Sequence, residues 1–108
     1  MARAGRVPGP PMSRITARTQ DAQGQPLFLA AGFDPGTGVH FLDVFAGHDD
    51  EDLPIYDSMF AHPRGLIAYN LEDLAADLTR HVGRPLDALV EAVRTSPTDA
   101  SPRHLGLL

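Results

Sequence analysis

The chain is 108 residues long and carries 14 acidic residues against 9 arginines, with no lysine and no cysteine, for a formal net charge of −5. That length fits one domain with a single core, the lack of cysteine excludes disulfides and thiolate metal sites, and no apolar run approaches membrane-spanning length. No apolar stretch follows the early Arg3 and Arg6, so neither a secretory leader nor membrane contact is expected, and a cytoplasmic protein is the expectation.

Residues 1–13 contain the run Val7-Pro8-Gly9-Pro10-Pro11 and no apolar periodicity, so they are expected to be disordered, with Met12 a candidate natural start. A single domain is expected over 14–95. In its first strand Ile15, Ala17 and Thr19 alternate with Arg14, Thr16 and Arg18, which reads as a half-exposed edge strand. The Asp21-Ala22-Gln23-Gly24 turn leads to a second strand over Leu27–Ala31. Gly32 to Gly38 reads as a turn, with Pro35 and Gly36 at positions that favour a bend. A third strand covers Val39–Phe45. Both of its faces are largely apolar, which points to the centre of the sheet.

The run Gly47-His48-Asp49-Asp50-Glu51-Asp52 has like charges that repel each other and reads as a solvated loop. Pro54–Met59 is a candidate fourth strand, with Pro54 at its start, where a missing N–H does least harm. The period then becomes helical. Leu71, Leu74, Ala75, Leu78 and Val82 form one stripe, Asn70 caps its start and Gly83 suits its end. Pro85 opens a second helix with Leu86, Leu89, Val90 and Val93 as its stripe, stopped by Ser96-Pro97. The tail 96–108 is turn-rich and expected to be flexible. The resulting fold class is α+β: a three- to four-stranded antiparallel β-meander followed by an αα-hairpin packed on one face. The second face of the sheet is left to solvent or a partner, with Phe28, Phe33 or His40 as candidate residues there.

No constellation for catalysis stands out. A nucleophile elbow and a two-histidine zinc helix are lacking, and Asp34-Pro35-Gly36-Thr37-Gly38 has neither the lysine nor the following helix of a phosphate loop. The five histidines (His40, His48, His62, His81, His104) show no ligand spacing, and His81 suits the negative end of a helix dipole. The acidic loop offers hard oxygen ligands, but counting from Asp50 the sixth residue is Ile55, where an EF-hand needs glycine. No cofactor, no metal and no enzymatic activity are expected.

Charge is the stronger signal. Between Asp34 and Asp73 nine carboxylates face one cation, Arg64, a balance that repels phosphates and argues against direct nucleic-acid binding. Six of those carboxylates lie between Asp43 and Asp57, interleaved with Phe45, Leu53, Ile55 and Tyr56. Two readings stand. One is a solubilising loop on an acidic protein; the other is a recognition surface for a protein partner with a basic surface, formed by Asp43, Asp49, Asp50, Glu51, Asp52, Tyr56 and Asp57.

The segments GFDPGTGVHFLDVF, DDEDLPIYDSM and LEDLAADLTRHVGRPLDALVEAV are similar to small uncharacterised acidic proteins of proteobacterial plasmids and integrative conjugative elements. In general character the chain also resembles anti-CRISPR inhibitors. The resemblance implies a bacterial protein-binding module of a mobile genetic element, with inhibition of a host nucleic-acid-binding defence complex as one role of that kind. A conjugation or plasmid-maintenance accessory protein is the alternative, and a small metal-binding protein or enzyme is the third.

Overall fold

A computed structural model describes residues 13–95 and 102–108. Four strands follow one another in chain order: β1 (Ile15–Gln20), β2 (Pro26–Asp34), β3 (Val39–Ala46) and the two-residue β4 (Tyr56–Asp57). Three helices come next, α1 (Ser58–Ala61), α2 (Leu71–Val82) and α3 (Asp87–Thr95), and a last strand, β5 (Arg103–Leu107). The sheet order is β4-β3-β2-β1-β5. Neighbours among the first four strands are antiparallel, whereas β5 runs parallel to β1, so the five-stranded sheet is mixed.

Local chemistry sets the turns. Asp21 accepts from the backbone N–H groups of Gln23 and Gln25, and Gly24 takes the positive φ that closes the first hairpin. Asp34 does the same for Gly36 in the second. The register then places Ile15, Leu29, Ala31, Leu42 and Val44 on one face, where they pack with Leu74, Leu78 and Val82 of α2 and Leu89 and Val93 of α3. Leu74 and Leu89 are wholly buried there, so truncating either to alanine removes about 2–5 kcal/mol of stability.

Helix α2 is specified at both ends. Asn70 accepts from the Asp73 N–H while the Asp73 carboxylate accepts from the Asn70 N–H, a reciprocal capping box. Gly83 terminates the helix in the left-handed conformation, and its N–H donates to the Thr79 carbonyl.

The expectation of an antiparallel meander with two helices is met in outline only. The middle strand is β2, not β3, and β1 is not an edge, because β5 pairs along its outer side. Leu108, just beyond β5, donates its N–H to the Arg18 carbonyl, and its own carbonyl accepts from Thr19 Oγ1. Residues 102–108 of the expected flexible tail are therefore ordered on the sheet; 96–101 lie outside the described residues, as do 1–12. Ser13 is buried rather than disordered: its N–H donates to the Phe33 carbonyl and its hydroxyl accepts from the Phe33 N–H. The fourth strand is shorter than Pro54–Met59, since the Asp57 carboxylate caps α1 by accepting from the Met59 N–H. The Ser58 hydroxyl oxygen then accepts from the Leu42 N–H, standing in for the next strand residue.

Candidate protein-binding surface

The seven sequence-predicted site residues divide into three groups. Asp43 and Asp57 are direct cross-strand partners, so both project from the face of the sheet away from α2 and α3. Burial comes first among the causes that push the Asp43 carboxyl up to about 6; the charge of Asp57 and a hydrogen bond with it add to the shift, and Arg14 opposes it. The second group is the loop of Asp49, Asp50, Glu51 and Asp52, all four exposed. Asp49 accepts from the Glu51 N–H, which bends the loop, and Asp50 forms an ion pair with Arg14 at 3.0 Å. Arg14 thereby ties the loop to the strand side of the domain and places its charge near Asp43 as well.

Tyr56 stands apart from both groups. It opposes Val44 in the ladder, so its ring turns toward the helices and not toward the carboxylates of the loop. Its hydroxyl donates to Asp77 at 2.5 Å, Tyr69 donates to the same carboxylate at 2.7 Å, and Arg80 donates to the other oxygen at 2.7 Å. Burial alone would raise the Asp77 carboxyl, but these donors outweigh it and hold the group below its ordinary value. Both tyrosine hydroxyls are pushed up, by burial first and then by bonding to Asp77. The guanidinium of Arg80 lies over the Tyr56 ring, 5.2 Å from its centroid. The His81 ring packs against Tyr56 with the ring centroids 4.4 Å apart, and burial followed by the Arg80 charge lowers its pKa. His81 is thus biased toward the neutral form, against the helix-dipole role expected of it. Tyr56 consequently clamps β4 to α2 and is not available as a loose surface anchor.

Five large apolar side chains nearby in sequence are exposed instead. Leu53, Phe60 and Ile67 are 89%, 84% and 82% exposed, and Ile55 and Leu66 are also largely in solvent. All five fall between positions 53 and 67, the stretch that contains β4 and α1. Leu53 follows the acidic loop directly and Ile55 comes two residues later. The backbone at Gly65 lies so close to Ser58 that an added Cβ would meet the Ser58 carbonyl oxygen at 1.9 Å, so the connection after α1 folds back onto that helix. The contact holds the backbone just before Leu66 and Ile67 against the start of α1. Leu53 and Ile55 were visible in the acidic stretch, whereas Phe60 reads by default as core, and Leu66 and Ile67 sit in a segment without periodicity. No family model matches the chain, and neither a curated protein nor a solved structure matches it.

The far face carries an aromatic cluster: Phe28 stacks on His104 and meets Phe45 edge-on. His104 Nδ1 in turn lies 2.8 Å from Thr16 Oγ1. Phe33 and His40, the other candidates for that face, share the parity of Ala31 and Leu42 and lie at the end of the helix-covered side. An open cavity of about 380 Å³ lies between α3 and β5, lined by residues that include Ala88, Ala92, Leu105 and Leu108. Among the described residues no three histidine or carboxylate side chains converge as metal ligands, and no helix is long and apolar enough to cross a membrane.

Proposed function

We propose that this chain is an acidic protein-binding module that recognises a basic surface on another protein and performs no chemistry of its own. The observation that carries this reading is the continuity of four exposed carboxylates, Asp49, Asp50, Glu51 and Asp52, with the exposed apolar side chains of Leu53 and Ile55. Carboxylates at this density repel each other and add little to folding, yet they accelerate encounter with a cationic surface. Adjacent apolar groups then supply contact from which water is expelled.

A surface of this kind suits occupation of the basic groove of a nucleic-acid-binding complex, which is the role implied by the resemblance to anti-CRISPR inhibitors and to proteins of mobile elements. A cytoplasmic, bacterial setting belongs to the same proposal. Affinity capture from bacterial lysate tests it, with the native chain compared against one in which Asp49, Asp50, Glu51 and Asp52 are changed to Asn or Gln. The reading expects basic proteins retained by the native chain and lost by the neutralised one. Identical retention by both would refute it.

A further inference from the structure

We propose that Asp43 and Asp57 hold one proton between them in the folded chain, and that this pair is a pH-sensitive latch fastening β4 and α1 to the edge of β3. The latch sets how firmly the far end of the acidic loop is held, and it stands whether or not that loop meets a partner.

The sheet register brings the two carboxyls together. Two pairs join β3 to β4, Asp43 with Asp57 and Val44 with Tyr56, so half of this short ladder sets one aspartate directly across from another. Two ionised carboxylates in that arrangement repel each other, whereas a carboxyl and a carboxylate hydrogen-bond through the proton that one of them keeps. The surroundings favour the protonated form. On the same face of the sheet Asp43 is flanked along β3 by Phe41 and Phe45 and lies across from Ala30 of β2, and all three are buried. The charged groups acting on it are Asp57 from β4 and Arg14 from just before β1, and Arg14 also pairs with Asp50 of the loop at 3.0 Å. Burial, then the Asp57 charge and the hydrogen bond with it, accordingly raise the Asp43 carboxyl to about 6 against the opposing pull of Arg14.

The pair acts as a latch because the Asp57 carboxylate has a second task. Its Oδ1 accepts from the Met59 N–H and caps α1, and the next residue, Ser58, accepts through its hydroxyl oxygen from the Leu42 N–H of β3. Ile55, just before β4, donates its N–H to the Val44 carbonyl. The amides of Leu42, Ile55 and Met59 therefore report whether this corner is closed. Once Asp43 ionises, repulsion from Asp57 pushes against all of these contacts. On the other face of β4 the Tyr56 hydroxyl still donates to Asp77, so the hold is weakened and not abolished. A carboxyl raised in the closed form favours closure at low pH, and that preference is lost as pH rises through about 6.

The full chain, isotope-labelled, tests the latch by two NMR readouts. The first is the titration of the Asp43 carboxyl carbon, expected at about pH 6 in the native chain and at lower pH in Asp57→Asn, which retains a capping side chain. The second is hydrogen exchange, taken as protection relative to the unstructured rate at each pH. Protection at Leu42, Ile55 and Met59 is expected to fall roughly tenfold between about pH 5 and about pH 7.5 in the native chain, and to stay level in Asp43→Asn, whose amide donates to Asp57 without titrating. At low urea these three amides are expected to be less protected than the β1–β2 ladder and to depend less on urea, because one corner opens and the rest stays folded. An Asp43 carboxyl that titrates at the ordinary aspartate value, a native protection that ignores pH, or the same fall in Asp43→Asn would overturn the proposal. So would latch amides that match the β1–β2 ladder in protection and urea dependence, since the chain would then open only as a whole.

Discussion

The Tyr56 hydroxyl donates to the Asp77 carboxylate at 2.5 Å and so fastens the shortest strand of the sheet to α2. With Tyr69 and Arg80 also donating, the carboxylate is well satisfied despite its burial. Removing it strands two tyrosine hydroxyls at once. Asp77→Ala is therefore expected to cost about 3 kcal/mol or more, and Tyr56→Phe about 1 kcal/mol, in urea denaturation. Because the folded Asp77 carboxyl is held below its ordinary value, its contribution is present above the unfolded pKa and is lost as pH falls through the acid range. Asp77→Asn is accordingly expected to flatten the acid limb of the stability curve. An Asp77→Ala variant within about half a kcal/mol of the native chain would show that the clamp contributes nothing.

Asp43 has the opposite sign. Its carboxyl is raised to about 6, so in the window between the unfolded carboxylate value and about pH 6 the folded chain holds more protons than the unfolded one. Stability then declines as pH rises across that window. Asp43→Asn is expected to remove the decline and to leave the variant more stable than the native chain at neutral pH, while Arg14→Gln, which removes the opposing cation, is expected to deepen it. Urea midpoints measured from pH 4 to pH 8, the interval bracketing these values, decide the matter; an unchanged slope in Asp43→Asn would contradict the assignment.

The last strand is held by side chains as well as by its ladder. Arg84 donates to both the Thr19 hydroxyl, at 2.9 Å, and the Leu108 carbonyl, at 3.0 Å. The amides of Arg103 and Leu108, which donate to the carbonyls of Arg14 and Arg18, are expected to exchange as slowly as those of β1. Arg84→Ala is expected to speed exchange at Leu108 first. Rapid exchange at both amides of the native chain would contradict the pairing of β5 with β1.

The parts of this fold that were legible in the sequence are those decided locally. The bounds of α2 follow from the Asn70 cap, one apolar stripe and Gly83, and the first two hairpins follow from Asp21-Gly24 and Asp34-Gly38. What long-range pairing decides was not legible. The Arg103–Leu107 segment offers only Leu105 and Leu107 as an alternating pair, broken by Gly106 and following a turn-rich stretch, so its place beside β1 is decided by tertiary contacts. Tyr56 shows the same limit at the site: whether it joins the acidic face or the helix face depends on a one-residue register, and pairing with Val44 turns it inward. The exposure of Phe60, Leu66 and Ile67 was hidden for a related reason, since composition alone does not separate an apolar side chain in the core from one in solvent.

The central claim, that the acidic loop steers a basic partner, is tested most directly by stopped-flow association of a fluorescently labelled, lysine-rich amphipathic peptide with the native chain and with the chain in which Asp49, Asp50, Glu51 and Asp52 are replaced by Asn or Gln. The account predicts that at low salt the native chain associates roughly tenfold or more faster, that this advantage disappears as salt is raised, and that the two melting curves coincide, because exposed carboxylates such as that of Asp50 in its pair with Arg14 add little to folding. Equal association rates at low salt, with equal salt dependence, would contradict it and leave the loop a solubilising feature of an acidic protein.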